Sequence, residues 1–298
     1  MPTRYRSPDE DSARWLDFAF RAGDIVISTR SKSGTTWMQM ICALLVFQTP
    51  ELPAPLPVLS PWLDWLITPR DEVYAALAAQ GHRRFIKTHT PLDGLPLDPR
   101  VTYVVVARHP LDLAVSLYHQ GANLDRDRLR ELIGRPQPAA TAPERVPLHD
   151  WLTAWIGRDV EPVEALDSLP GVLWHLSDAW ARRHDDNVLL VRFADLLDDL
   201  AGQMRQIADR LAITVPGPAW SALVDAATFE QMRIRAADVV PDPAGVLKDR
   251  TAFFRTGRAG LWQAVLTDAE HRRYAARAAT LAPPDLLAWL HGSHPGRA

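Results

Sequence analysis

The chain is nearly without cysteine. Its 298 residues hold one, Cys42, which excludes an internal disulfide framework and fits a reducing compartment. Because Cys42 falls in a predicted helix, a buried structural thiol is expected rather than a nucleophile. Long apolar runs are absent too. None approaches the ~18 residues of a membrane span, and the opening stretch MPTRYRSPDEDSARW carries charges where a signal peptide needs an apolar segment. A cytoplasmic protein is the expectation. The ten histidines and the carboxylates show neither HExxH nor paired CxxC spacing, so no metal site is expected. An excess of positive charge is missing: 33 Lys and Arg against 36 Asp and Glu give a net charge of −3. That argues against a nucleic-acid partner while leaving room for a local basic pocket. No Gly-Lys pair occurs anywhere, which removes the Walker motif GxxxxGK[ST]. No internal repeat is seen.

What is there is an apolar fraction of 47%, enough for a sizeable core in a chain of this length. Short β-branched or apolar runs predict strands at 24–29, 84–88, 101–107 and 188–193. Helical patterns follow at 35–47, 111–123, 172–184 and 195–211, and the tail after Thr267 predicts two helices divided at Pro283-Pro284. Strands alternating with helices imply an α/β fold with a central parallel sheet covered on both faces. No domain boundary is evident, so one domain over 1–298 is expected. The segment 49–68, rich in Pro and Trp, reads as an insertion, and 125–147 as a mobile loop. Ligands of such sheets bind at the carboxyl ends of the strands. Lys32, His89 and Arg108 each follow a strand and should share that edge.

The stretch IVISTRSKSGTTW leads from a strand into a helix. Unsatisfied N–H groups at a helix start favour an anion. Ser33, Thr35 and Thr36 add hydroxyls, Gly34 permits close approach of the backbone, and Lys32 adds a full charge; a merely capped helix is the plain alternative. Nucleotide triphosphatases place an aspartate after a strand for Mg²⁺, whereas VTYVVVA ends in Arg108, a residue that binds an anion. The loop therefore suits phosphate or sulfate. Ser116 stands eight residues after Arg108, just over two helical turns on, where a guanidinium and a hydroxyl could hold one phosphate. FFRTGRAGLWQ, a loop with two glycines and two arginines, could wrap another. In RFIKTHTPLDGLP, Lys87 and His89 alternate along a strand end and point to one side. A neutral histidine there suits a general base. A solvated arginine, a helical serine, a surface turn and a structural histidine are the ordinary readings of each piece alone.

In this order the four pieces resemble the cytosolic-type sulfotransferases that use 3′-phosphoadenosine 5′-phosphosulfate (PAPS). Their PKSGTTW is matched by SKSGTTW at 31–37, their KTHLP by KTHTP at 87–91, and their arginine and serine eight apart by Arg108 and Ser116. Their RKGxxGDWK is matched in part by RTGRAGLWQ at 255–263. The resemblance implies that Lys32, Ser33, Gly34, Thr35 and Thr36 cradle the 5′-phosphosulfate of PAPS and that Trp37 and Phe229 stack the adenine. It further implies that Arg108, Ser116, Arg255 and Gly257 clamp the 3′-phosphate, with Thr256 where the family has a lysine and Arg258 as a possible substitute. His89 would be the base, Lys87 the partner of the sulfuryl oxygens, and no metal takes part. Phe193 stands where the family has a tyrosine, so one hydroxyl contact to adenine is lost. The family dimer motif KxxxTVxxxE falls on Gln263, Thr267, Asp268 and Arg272. Three of its specified positions differ, which implies a monomer or another dimer.

The implied reaction is sulfuryl transfer to a hydroxyl of a phenolic, lipid or glycolipid acceptor. A P-loop kinase and a non-catalytic PAPS-binding module are the alternatives; dependence on ATP and Mg²⁺ would favour the first, and a single-turnover assay separates the second. Trp62, Trp65, Trp151, Trp155 and Trp174 are candidates for an aromatic acceptor wall, with core packing as their plain alternative. The abundance of Ala, Arg and Pro suggests a bacterial source.

Overall fold

The computed structural model describes residues 1–134, 145–242 and 244–292. Four parallel strands, β1 (Ile25–Ser28), β2 (Phe85–Thr88), β3 (Thr102–Ala107) and β4 (Val188–Arg192), form one sheet in the order β2-β1-β3-β4. Around it run α1 (Thr35–Phe47), α2 (Leu56–Leu59), α3 (Arg70–Ala79), α4 (Pro110–Asn123), α5 (Arg126–Leu132), α6 (Leu148–Gly157) and α7 (Leu169–Ala181). After β4 come α8 (Phe193–Asp198), α9 (Leu200–Arg210), α10 (Trp220–Ala226), α11 (Phe229–Ile234), α12 (Ala236–Val239), α13 (Asp268–Leu281) and α14 (Pro284–His291).

The strands are apolar along most of their length because both faces are covered. Alternate side chains serve opposite layers. Val26, Ile86, Tyr103 and Val105 pack with α4, α6, α7, α13 and α14, while Ile25, Ile27, Phe85, Val104 and Val106 pack with α1, α9 and α10. Cys42, on α1, is fully buried in the second layer, as expected. Where β1 and β2 begin, Arg84 Nε donates to Asp24 Oδ1 at 2.8 Å, and both residues are buried. This pair ties down the end of the sheet opposite the cavity described below.

Two expectations are corrected, and a third segment is located. The pattern at 195–211 is two helices, because Asp199 leaves helical geometry (φ −145°, ψ 75°) and caps α9 by accepting from the Gly202 amide. The stretch 125–147 begins with α5, for Asp125 caps the amides of Asp127 and Arg128, and Asp127 and Glu131 pair with arginines three residues away. Residues 135–144 of that stretch lie outside the described residues. The segment 49–68 is held to the sheet edge: the Lys87 amide donates to Pro61 O (3.1 Å), and Trp62 forms a parallel bridge with Lys87. Among the described residues no helix is long and apolar enough to cross a membrane.

Candidate active site

The carboxyl ends of β1, β2 and β3 open into one cavity of about 630 Å³. Lys32, Lys87, His89 and Arg108 all line it, as the strand-end rule anticipates. The chain holds three lysines in all, Lys32, Lys87 and Lys248; in a chain whose cations are otherwise arginines, two of the three stand at this site.

The loop between β1 and α1 is curled by two residues in the left-handed region, Lys32 (φ 64°) and Gly34 (φ 107°). At Gly34 a Cβ would lie 2.8 Å from the Phe193 ring, so conformation and contact both require glycine. No side chain caps α1, which leaves its first amides toward the cavity. Thr35 and Thr36 line the cavity, with the Thr35 and Thr29 hydroxyls hydrogen-bonded to each other. Ser33 is buried within the turn, its amide donating to Arg30 O at 3.1 Å. It builds the loop and is not among the lining residues.

Arg108 holds this loop from β3 by donating from Nη1 to Lys32 O at 2.8 Å, and its Nε is buried without a partner. Ser116 and Gln120, one turn apart on α4, line the same wall. Lys32 Nζ lies 3.8 Å from the Phe253 ring centre and 3.4 Å from Gln120 Oε1. Arg255, Thr256 and Gly257 reach the wall on the late loop, which Asp112 fixes by accepting from the amides of Gly260 (2.9 Å) and Leu261 (3.1 Å). Gly257 has φ 61°, and a Cβ there would lie 2.6 Å from the Phe229 ring. Trp37 and Phe229 both line the cavity. The Trp37 indole N–H donates to Ala227 O at 2.8 Å, and its ring meets Phe193 edge to face. Arg258 is exposed and is not part of the lining.

Charge is concentrated at this end. Burial, then Arg108, Lys87 and Arg255, push the Lys32 ammonium down to about 7, and burial brings Arg108 to about 10. Unpaired cations crowded out of water are destabilised and favour an anion among them.

Toward β2 the lining changes. His89 is buried, and its Nδ1 lies 2.6 Å from Thr29 O. That carbonyl can only accept, so Nδ1 carries the proton and Nε2 is free to take one. Burial, then Lys87 and Arg30, hold the imidazole well below its usual value, hence neutral at pH 7. Lys87 Nζ sits 3.5 Å from the Trp62 ring centre and is pushed down to about 8 by burial, against the pull of Glu10 and Asp64. Arg30, buried, donates to His89 O and, at 2.6 Å, to Asp167 Oδ1. Asp64, also buried, accepts from Thr88 Oγ1 (2.7 Å) and Thr90 Oγ1 (2.8 Å), pinning the strand end that carries Lys87 and His89. Trp62, Trp65, Trp151 and Trp155 line the cavity. Trp174 does not: it is 42% exposed, and its N–H donates to the Tyr5 hydroxyl at 2.8 Å.

Sequence reasoning missed Gln120, Phe253, Arg30, Asp112 and Asp64. Gln120 carried a signal, the four-residue step from Ser116. The others serve the site through contacts distant in sequence.

Residues 22–280 match the model of the sulfotransferase domain. The chain belongs to that family. It is 43% identical over 98% of its length, and 95% of the relative's, to a glycolipid sulfotransferase of Mycobacterium bovis. It is 25% identical to sulfotransferase 1A1 of the dog, covering 87% of this chain and 83% of the other. Among solved structures, retinol dehydratase in complex with androsterone and the inactive cofactor PAP has the same fold. The TM-score is 0.70 at 21% identity, over 99% of this chain and 92% of the other. The family membership makes this chain a sulfotransferase, an enzyme, and the cavity at the strand ends is its candidate active site.

Proposed function

We propose that this sulfotransferase moves the sulfuryl group of PAPS to a hydroxyl of a glycolipid, with His89 taking the acceptor proton. PAPS supplies an activated sulfuryl group joined to a 5′-phosphate. The residues at the basic end fit such a polyanion: crowded cations with depressed pKa values and a buried Arg108 Nε lacking a partner. The loop amides with Lys32, Thr35 and Thr36 would bind the leaving 5′-phosphate, with Ser33 and Gly34 shaping the turn. Arg108, Ser116, Arg255 and the amide of Gly257 would hold the 3′-phosphate, and Trp37 and Phe229 the adenine.

The observation that carries the reading is the fixed tautomer of His89 beside two lysines in one cavity. His89 Nε2 accepts the hydroxyl proton while the acceptor oxygen forms its bond to sulfur and the bond to the 5′-phosphate oxygen breaks. Lys87, released from the face of Trp62, neutralises the sulfuryl oxygens, and Lys32 the leaving phosphate. Positioning and fixed charge do the catalytic work, as in phosphoryl transfer. On this reading the charge balance falls to lysines rather than to a metal. The glycolipid assignment leans on the mycobacterial relatives and on an acceptor end lined by four tryptophans together with polar groups. A cytoplasmic location, and a monomer or a dimer built through a surface other than the family motif, belong to the same proposal.

His89→Ala should lower turnover by roughly 10²–10⁴-fold, the usual worth of a general base, while calorimetric binding of PAP stays near wild type. Turnover above about a third of wild type would remove His89 from the role of base.

A further inference from the structure

The wall from His89 away from the donor end runs through an aromatic pair. Trp62 meets the His89 ring edge to face at 4.7 Å and stacks on Trp65 at 5.2 Å, 7° from parallel. Trp65 is bridged in antiparallel fashion to Glu10. The segment around Glu10 is tightly held. The Glu10 amide donates to Ser7 Oγ at 3.0 Å, the Ser7 amide to Glu10 O at 2.9 Å, and the Asp11 amide to Asp64 O at 2.9 Å. Asp11, in turn, accepts from the Arg4 guanidinium (3.0 and 2.6 Å). A backbone this well anchored fixes where the side chain of residue 10 starts, at the cavity wall.

Four carboxylates line this end of the cavity, and three of them are accounted for. Asp167 receives Arg30 at 2.6 Å, Asp9 receives the Ser7 hydroxyl at 2.9 Å, and Glu164 is exposed to solvent. Glu10 is partly buried and lines the cavity, and its side-chain carboxyl receives no hydrogen bond from any described residue. Burial raises its pKa to about 8, with Arg30 opposing and Asp64, Asp9 and Asp167 reinforcing. A shielded carboxyl without a partner costs free energy until something fills its hydrogen-bonding capacity. The occupant is not a cation, because Arg30 and Lys87 already supply positive charge to Glu10's surroundings. A neutral hydroxyl fits, whichever protonation state the carboxyl takes.

We propose that Glu10 is a specificity-determining residue that binds a second hydroxyl of the acceptor while the first lies at His89, so that the site selects polyhydroxylated headgroups over monohydroxy acceptors. The inference rests on the glycolipid reading above and gives it a residue. A site built to hydrogen-bond a hydroxyl discriminates against an analogue that lacks it, because the shielded partner is then left unpaired.

The test compares two acceptors, an alkyl glycoside and 4-nitrophenol, in wild type, Glu10→Ala and Glu10→Gln. In Glu10→Ala the ratio of kcat/KM for the glycoside to that for the phenol should fall roughly 10- to 100-fold, the worth of one hydrogen bond to a carboxyl group, with the loss in KM. Glu10→Gln should recover part of it. PAP binding by calorimetry shows whether each variant is folded. An unchanged ratio overturns the role of Glu10, as does an equal loss on both acceptors, which would mean that Glu10 only positions Lys87. A wild-type enzyme that sulfates the phenol and no glycoside overturns the glycolipid reading itself, and the inference with it.

Discussion

Thr256 faces the cavity between Arg255 and Gly257, whereas Arg258 is exposed and away from it. We therefore propose that Arg258 does not stand in for the family's lysine. Thr256→Lys should tighten PAP binding by up to about 1.5–3 kcal/mol, less as salt rises. An equal gain for the analogue lacking the 3′-phosphate would show that residue 256 faces elsewhere. Lys32 makes a second prediction. Its pKa is depressed to about 7 in the free enzyme, and an anion beside it must raise that value. Binding above pH 7 therefore takes up a proton, and PAP affinity should fall as pH rises from there, by at most about tenfold per unit for one proton. Calorimetry in buffers of different ionisation enthalpy reads the uptake directly. No uptake at pH 8 would mean that Lys32 does not meet the nucleotide.

At the scale of elements, the site is assembled by ties between loops. Asp112, in the first turn of α4, carries the late loop on two amides. Burial holds its carboxyl above the usual value, partly offset by those amides and by Arg108. Asp112→Ala removes both acceptors and leaves two amides of a partly buried loop unpaired. PAP affinity should drop roughly 10-fold or more, at a cost of about 1–3 kcal/mol per unsatisfied group. Hydrogen exchange should rise at 256–261 with β1 to β4 unchanged. Unaltered exchange in that loop would show that other contacts hold it.

Across the whole molecule, the cavity unites β1, β2, β3, α4 and the late loop, so filling it with an anion should stabilise the fold as a unit. PAP at 100 times its dissociation constant adds ~2.7 kcal/mol to the folded state, which for a chain of this size is a rise in Tm of roughly 5 °C. The rise should be the same in EDTA as in Mg²⁺ if, as proposed, lysines and arginines supply the charge. A shift that needs Mg²⁺ would overturn that view of the site.

The alternation of apolar runs and helical patterns placed all four strands to within a residue or two, since strands buried on both faces read as mainly apolar runs. The same pattern put Lys32, His89 and Arg108 at one sheet edge. SKSGTTW and KTHTP were legible because their chemistry is local: a loop before a helix, and two side chains on alternate positions. The break at Asp199 was missed because a helical period continues across it, and the cap that stops the helix is one side chain on one amide. Trp174 was misplaced because composition cannot say which face of a helix meets a cavity. Only the folded chain decides that Thr29 O fixes the tautomer of His89, that Asp64 and Arg30 hold the strand end around it from two sides, and that the Glu10 carboxyl lines the cavity without a side-chain partner. These are contacts between residues roughly 24 to 140 apart in sequence, and no local periodicity encodes them; they arise when the sheet brings its strand ends together.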